Sequence, residues 1–150
     1  MGSTKQMPKL TLEQAEIIVD ATLAEGAELK LNPLTVAVLD DGAHLKMLKR
    51  QDGPGAAMRP KIAIGKAFAA AGLGIGTRPW EERAKERPLL IQGFMGLADE
   101  FIAVPGGVVI RDNDGEILGA VGVSGDTSDA DEQCAVAGIE AAGLVADTGG

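Results

Sequence analysis

At 150 residues, with 45% hydrophobic and 24% charged side chains, the chain has room for one domain around one core. A formal net charge of −8 and the absence of a long Lys/Arg cluster argue against nucleic acid or an anionic membrane surface as partners, and no apolar run reaches spanning length. A single cysteine, Cys134, leaves no internal disulfide framework and no thiolate metal site, so a cytoplasmic protein without a dedicated metal centre is expected.

Residues 1–9 read as a flexible lead without the apolar core of a secretory signal, residues 10–146 as the domain, and residues 147–150 as a flexible end. Thr11 followed by Gln14 forms a capping-box signature, and Leu12, Ala15, Val19, Leu23 and Gly26 recur at helical spacing, which predicts a first helix ending near Lys30. The β-rich run Thr35 to Leu39, the turn residues Asp40-Asp41-Gly42-Ala43 and the extended run from His44 to Gln51 predict a hairpin. Pro60 can open a second helix, whose body from Lys61 to Ala71 carries alanine and glycine around most of its circumference and so should pack hard against a sheet.

The stretch from Gly72 to Glu100 is read as a short helix from Pro79 to about Glu86, with Thr77 as its cap, followed by a mobile connection. Phe101 to Val104 is read as a short strand. A second hairpin follows, Val108 to Arg111 and Glu116 to Val123 about the turn Asp112-Asn113-Asp114-Gly115, and Ser128 caps a last helix reaching about Val145. Two hairpins without a βαβ rhythm predict an α+β domain, an antiparallel five-stranded sheet flanked by helices.

Glycine is dense in Pro105-Gly106-Gly107 and in Gly119-Ala120-Val121-Gly122-Val123-Ser124-Gly125, and bare backbone there implies tight packing or a ligand lying close. Ala120, Gly122 and Ser124 share one face of their strand, a small-residue surface that admits a helix at close range or a flat guest. Gly106 and Gly107 form either an anion-binding amide nest or a plain turn. Arg50 and Asp52 are either a carboxylate clamp with its base or an ion pair fixing the turn. Lys66 either serves proton transfer or snorkels to water, the latter being the expectation. Arg78, Trp80 and Glu81 lie in the only cluster combining an aromatic ring with charge. They could close an apolar pocket, with Arg78 holding an acid and a glutamate kept from water as general base, or form an ordinary charged surface helix.

Taken in order, Leu10-Thr11-Leu12-Glu13-Gln14-Ala15, Asp41-Gly42-Ala43-His44-Leu45, Arg50-Gln51-Asp52-Gly53, Ile62-Ala63-Ile64-Gly65-Lys66-Ala67, Pro105-Gly106-Gly107 and the Gly119–Gly125 run followed by Asp131-Glu132 resemble the GlcG/HbpS family of small haem-binding or haem-degrading domains. They also resemble the C-terminal domain of PduO-type cobalamin adenosyltransferases. The resemblance implies a profilin-like or PAS-like fold, homo-oligomers and a bound haem. It keeps His44, the only histidine, as a candidate ligand beside the alternative of a solvated turn residue. The charged stretch from Arg78 to Arg87 departs from the family pattern. The expected function is therefore binding of a small ligand, haem first. Gly106, Gly107, Gly122, Ser124, Trp80 and His44 would hold it. The alternative is a cofactor-independent isomerase, lyase or hydrolase for a small carboxylate, using Arg50, Asp52, Lys66, Arg78 and Glu81.

Overall fold

The structure, a computed structural model, describes residues 9–55, 57–98 and 100–150. The expectation for residues 1–9 thus lies outside the described residues, Lys9 apart. Helix α1 (Leu12–Glu28) begins as its sequence dictates: the Thr11 hydroxyl accepts from the Gln14 N–H at 3.0 Å while the Gln14 side chain accepts from the Thr11 N–H at 3.0 Å. Strands β1 (Thr35–Asp40) and β2 (Leu45–Arg50) form the first hairpin, and β3 (Gly107–Arg111) and β4 (Ile117–Ser124) form the second. Between the hairpins lie α2 (Arg59–Leu73), α3 (Arg78–Glu86) and α4 (Pro88–Leu97), and after them come α5 (Ser128–Ala141) and β5 (Val145–Asp147).

All pairings are antiparallel and the sheet order is β2-β1-β4-β3-β5. The alternation within the central strands sorts side chains onto two faces. Val36, Val38, Val108, Ile110, Val121 and Val123 face α1 and α5 and build the main core. Leu39, Val109 and Ala120 face α2, packing on Ala67 and Ala70. A third apolar cluster unites Ala69 of α2 with Trp80, Ile91 and Phe101, so α3 and α4 sit on the outer flank of α2.

Four expectations are corrected here. Phe101 to Val104 is not a strand; Phe101 is buried in the third cluster, and the fifth strand is β5 instead, which pairs with β3 from Val109↔Asp147 to Arg111↔Val145. Helix α5 stops at Ala141 because Gly143 takes a positive φ of 74°, and its N-cap is Thr127, whose hydroxyl accepts from the Ala130 N–H at 3.2 Å. The connection after α3 is helix α4, held by burial of Ile91 against Trp80. Residues 147–150 are tied back: the Arg111 guanidinium bonds Asp147 at 3.0 Å, and the Arg78 N–H donates to the Thr148 carbonyl at 3.3 Å.

Cys134 lies fully buried in the main core, and desolvation, followed by repulsion from Glu25, pushes its thiol up to about 11. With the thiolate so disfavoured, iodoacetamide at pH 7.5 should leave the native protein unlabelled over hours and label it within minutes in denaturant. Mass spectrometry reads both states, and fast labelling of the native chain would place Cys134 outside a closed core.

Candidate functional site

The glycine-rich strand face is occupied by the protein itself. A Cβ on Gly122 would run into the Ala63 carbonyl oxygen and stand 2.7 Å from the Ala67 nitrogen, both on the α2 backbone. Glycine is required there because the helix lies directly on the strand. Ser124, on the same face, is buried as well. The small residues of β4 therefore admit a helix and leave no room for a guest molecule at Gly122.

Gly106 and Gly107 serve the same helix. Gly106 has φ 120°, and a Cβ on it would stand 2.8 Å from Lys66 Nζ; a Cβ on Gly107 would run into the Lys66 carbonyl oxygen. The turn is shaped around a lysine. Lys66, expected to snorkel, instead has a side chain only 4% exposed, and it donates to the Val123 carbonyl at 2.9 Å and to Asp131 Oδ2 at 3.1 Å. Asp131, whose side chain is 2% exposed, also accepts the Asp126 N–H at 3.0 Å. Burial pushes the Asp131 carboxyl above the ordinary aspartate range against the opposing pull of Lys66. The position of Asp131 near a helix start was visible in the sequence; its pairing with a residue 65 positions away was not.

Arg78 completes this junction from α3. Its guanidinium holds Glu132 at 2.9 Å and Asp129 at 2.5 Å, so both of its acidic partners come from the first turns of α5. These hydrogen bonds, the one to Asp129 foremost, raise its already high pKa. Thr77, fully buried, donates to the Val104 carbonyl at 2.6 Å and accepts from the Gly107 N–H at 3.0 Å, fastening the start of α3 to the glycine turn. Lys66, Arg78, Gly106 and Gly107 thus meet at the start of α5, with their polar groups engaged by one another and by Thr77, Asp129, Asp131 and Glu132.

The remaining sequence candidates lie apart. Arg50 and Asp52 are exposed after β2 and make no ion pair with each other. Glu81 is exposed on α3, so water is not kept from its carboxylate. His44 is 83% exposed in the β1–β2 turn, with Nδ1 3.5 Å from Asp40 Oδ1. Trp80 is buried, edge-on to Phe94 with ring centroids 5.6 Å apart and with the Arg83 guanidinium 4.6 Å from its own ring centroid. Its indole N–H is buried without an acceptor.

Open space lies on the outer side of α2. One cleft of about 250 Å³ is walled by Phe68, Leu73, Phe94, Leu97 and Phe101, with the exposed Gly72 also on its lining. A neighbouring cleft of about 410 Å³ is lined by Met58, Lys61, Ile62, Met95, Glu100 and again Phe101. The two clefts share Phe101, and both have α2 on one side and α4 with the following segment as the wall on the other; they are called the trough below. Sequence periodicity could not reveal it, because α4 contributes that wall only once it has folded back over Trp80. Among the described residues, no three His, Cys, Asp or Glu side chains gather in a way that could hold a metal ion, and no helix is long and apolar enough to cross a membrane.

A helix-backed five-stranded antiparallel sheet with a trough beside its central helix defines an α+β domain, and residues 10–140 match the family model described as haem degrading protein HbpS-like. The chain belongs to the HbpS-like family. An uncharacterized 15.0 kDa protein from the dhaT-dhaS intergenic region of Citrobacter freundii is 26% identical over 93% of this chain and 96% of the relative. A double mutant of HbpS from Streptomyces reticuli superposes with a TM-score of 0.77 at 27% identity, over 92% of this chain and 89% of that one. A PduOC–heme complex superposes with a TM-score of 0.79 at 20% identity, over 90% of this chain and 96% of that one, a likeness of fold.

Proposed function

We propose that the protein binds a flat, largely apolar small molecule, haem first among them, in the trough between α2 and α4. The observation that carries this is the trough itself, an open concavity beside an otherwise close-packed α2, walled by three of the protein's four aromatic side chains. Membership of a family described by haem degradation supports the choice of ring, and the fold neighbour crystallised with heme agrees with it.

The lining fits such a group by its apolar side chains and by its donor chemistry. Phe68, Phe94, Phe101 and Leu73 offer apolar faces to a macrocycle, while Met58 and Met95 bring thioether sulfurs of the kind that ligate haem iron. His44 lines neither cleft. Bound haem would supply redox chemistry at its iron; the chain's own residues exclude water from the ring faces and orient it. The acid–base reading finds less support, since Arg50, Asp52 and Glu81 stand in water and Lys66 and Arg78 are engaged with carboxylates.

Gly72 provides the test. A Cβ there meets nothing within 4 Å and Gly72 lines the apolar cleft, so Gly72→Leu adds bulk at that cleft without a clash against its neighbours. Haem titration, followed by the Soret band and by quenching of Trp80, the only tryptophan, should show affinity falling about ten-fold or more in Gly72→Leu, the loss expected when a bulky group blocks apolar contact. His44→Ala should bind as the parent does. Unchanged binding in Gly72→Leu, or binding abolished by His44→Ala alone, would overturn the assignment.

A further inference from the structure

The two ends of the trough differ in chemistry. Around Phe68, Leu73, Phe94 and Leu97 the lining is apolar throughout, whereas Lys61 and Glu100 stand at the opposite end. From Lys61 to Leu73 the helix rises about 18 Å, so the polar and apolar ends are well separated. Neither Lys61 nor Glu100 makes an ion pair among the described residues.

Lys61 also lies in the first turn of α2, which has no acidic side chain and no side-chain cap to answer its exposed N–H groups. Positive potential from those amides adds to that of the ammonium. Glu100, on the far wall, repels an anion from its own side and steers it toward Lys61. Resting on the trough reading above, we infer that the ligand is an amphipathic acid, inserted with its apolar edge toward Leu73 and Leu97 and its carboxylate at Lys61. Lys61 is then a specificity-determining residue that selects ionised over neutral versions of one skeleton. Among tetrapyrroles, this means those that keep free acid side chains along one edge.

Metal-free protoporphyrin IX and its dimethyl ester share one ring and differ in ionised carboxylates, which makes them suitable probes for the whole chain. Quenching of Trp80 should give the diacid an affinity advantage of about three- to ten-fold over the diester, the range for a partly exposed ion pair next to a helix N-terminus. Lys61→Glu should abolish or invert that ratio. An undiminished diacid preference in Lys61→Glu would overturn the inference. Running both probes on Gly72→Leu separates the two claims. If Gly72→Leu weakens both porphyrins but Lys61→Glu keeps the parent ratio, the trough stands and the role of Lys61 falls. If Gly72→Leu weakens neither, the trough is not the site and both fall.

Discussion

Replacing Lys66 with methionine should lower the stability of the protein by about 3–5 kcal/mol, because the buried Asp131 carboxylate then loses its counter-charge while staying out of water. At about 2–4 °C per kcal/mol for a chain of this size, thermal unfolding should move down by about 6–20 °C. The double variant Lys66→Met/Asp131→Leu should recover most of the loss, since removing both charges removes the desolvation cost with them. Recovery should stop about 1 kcal/mol short, because in the double variant the Asp126 N–H loses its acceptor and the Val123 carbonyl still lacks the Lys66 donor. Calorimetry or circular dichroism melts of the three proteins decide the matter. A single variant as stable as the parent would mean that the ammonium reaches water, the behaviour that the sequence alone suggested.

The second large effect concerns Gly122. Since its Cβ position is taken by the backbone of α2 at Ala63 and Ala67, Gly122→Ala forces either the helix or the strand to shift, and backbone gives way less readily than the end of a side chain. Overpacking of this kind costs about 1–3 kcal/mol and occasionally more, and here the upper end is expected. Gly93→Ala is the matched control, for Gly93 lies within α4 and a Cβ on it meets nothing within 4 Å. That substitution should be neutral or stabilising by about 0.5–1 kcal/mol, the ordinary gain of alanine over glycine inside a helix. Urea midpoints for the pair give the comparison. Equal midpoints would mean that α2 is not seated on β4.

How far the site could be read from the chain depended on the range of each interaction. The concentration of glycine in Pro105-Gly106-Gly107 and Gly119 to Gly125 correctly signalled close approach, yet both a helix and a ligand satisfy that signal; α2 is what approaches Gly106, Gly107 and Gly122, while Gly119 and Gly125 lie against β1 and the segment just before it. Lys66 in an alanine-rich helix is ambiguous by the same logic, and Asp131 decides it from a distant segment. Of the charged stretch, Arg78 became a tie to α5, while Trp80 became a buried partner of Phe94 behind the trough. The trough itself rests on α4, whose run Pro88–Leu97 holds nothing charged and no cap, and whose ten residues are too few to be helical on their own.

What the sequence by itself determined are the features made by near neighbours: the Thr11–Gln14 capping box, the hairpin turns at Asp40 to Ala43 and Asp112 to Gly115, and the two-residue alternation that sorts β1, β3 and β4 into faces. From these the α+β class follows; the family rests on the string of motifs that the chain shares with it and on the family match over residues 10–140. Only the tertiary structure decided that α2 fills the glycine face, that Val145–Asp147 supplies the last strand, and that α4 leaves a trough outside α2. The physical reason is that capping and turn formation involve groups a few residues apart. Burial of a charge, closure of a short edge strand and the walls of a cavity depend on residues that meet only when the whole chain has packed.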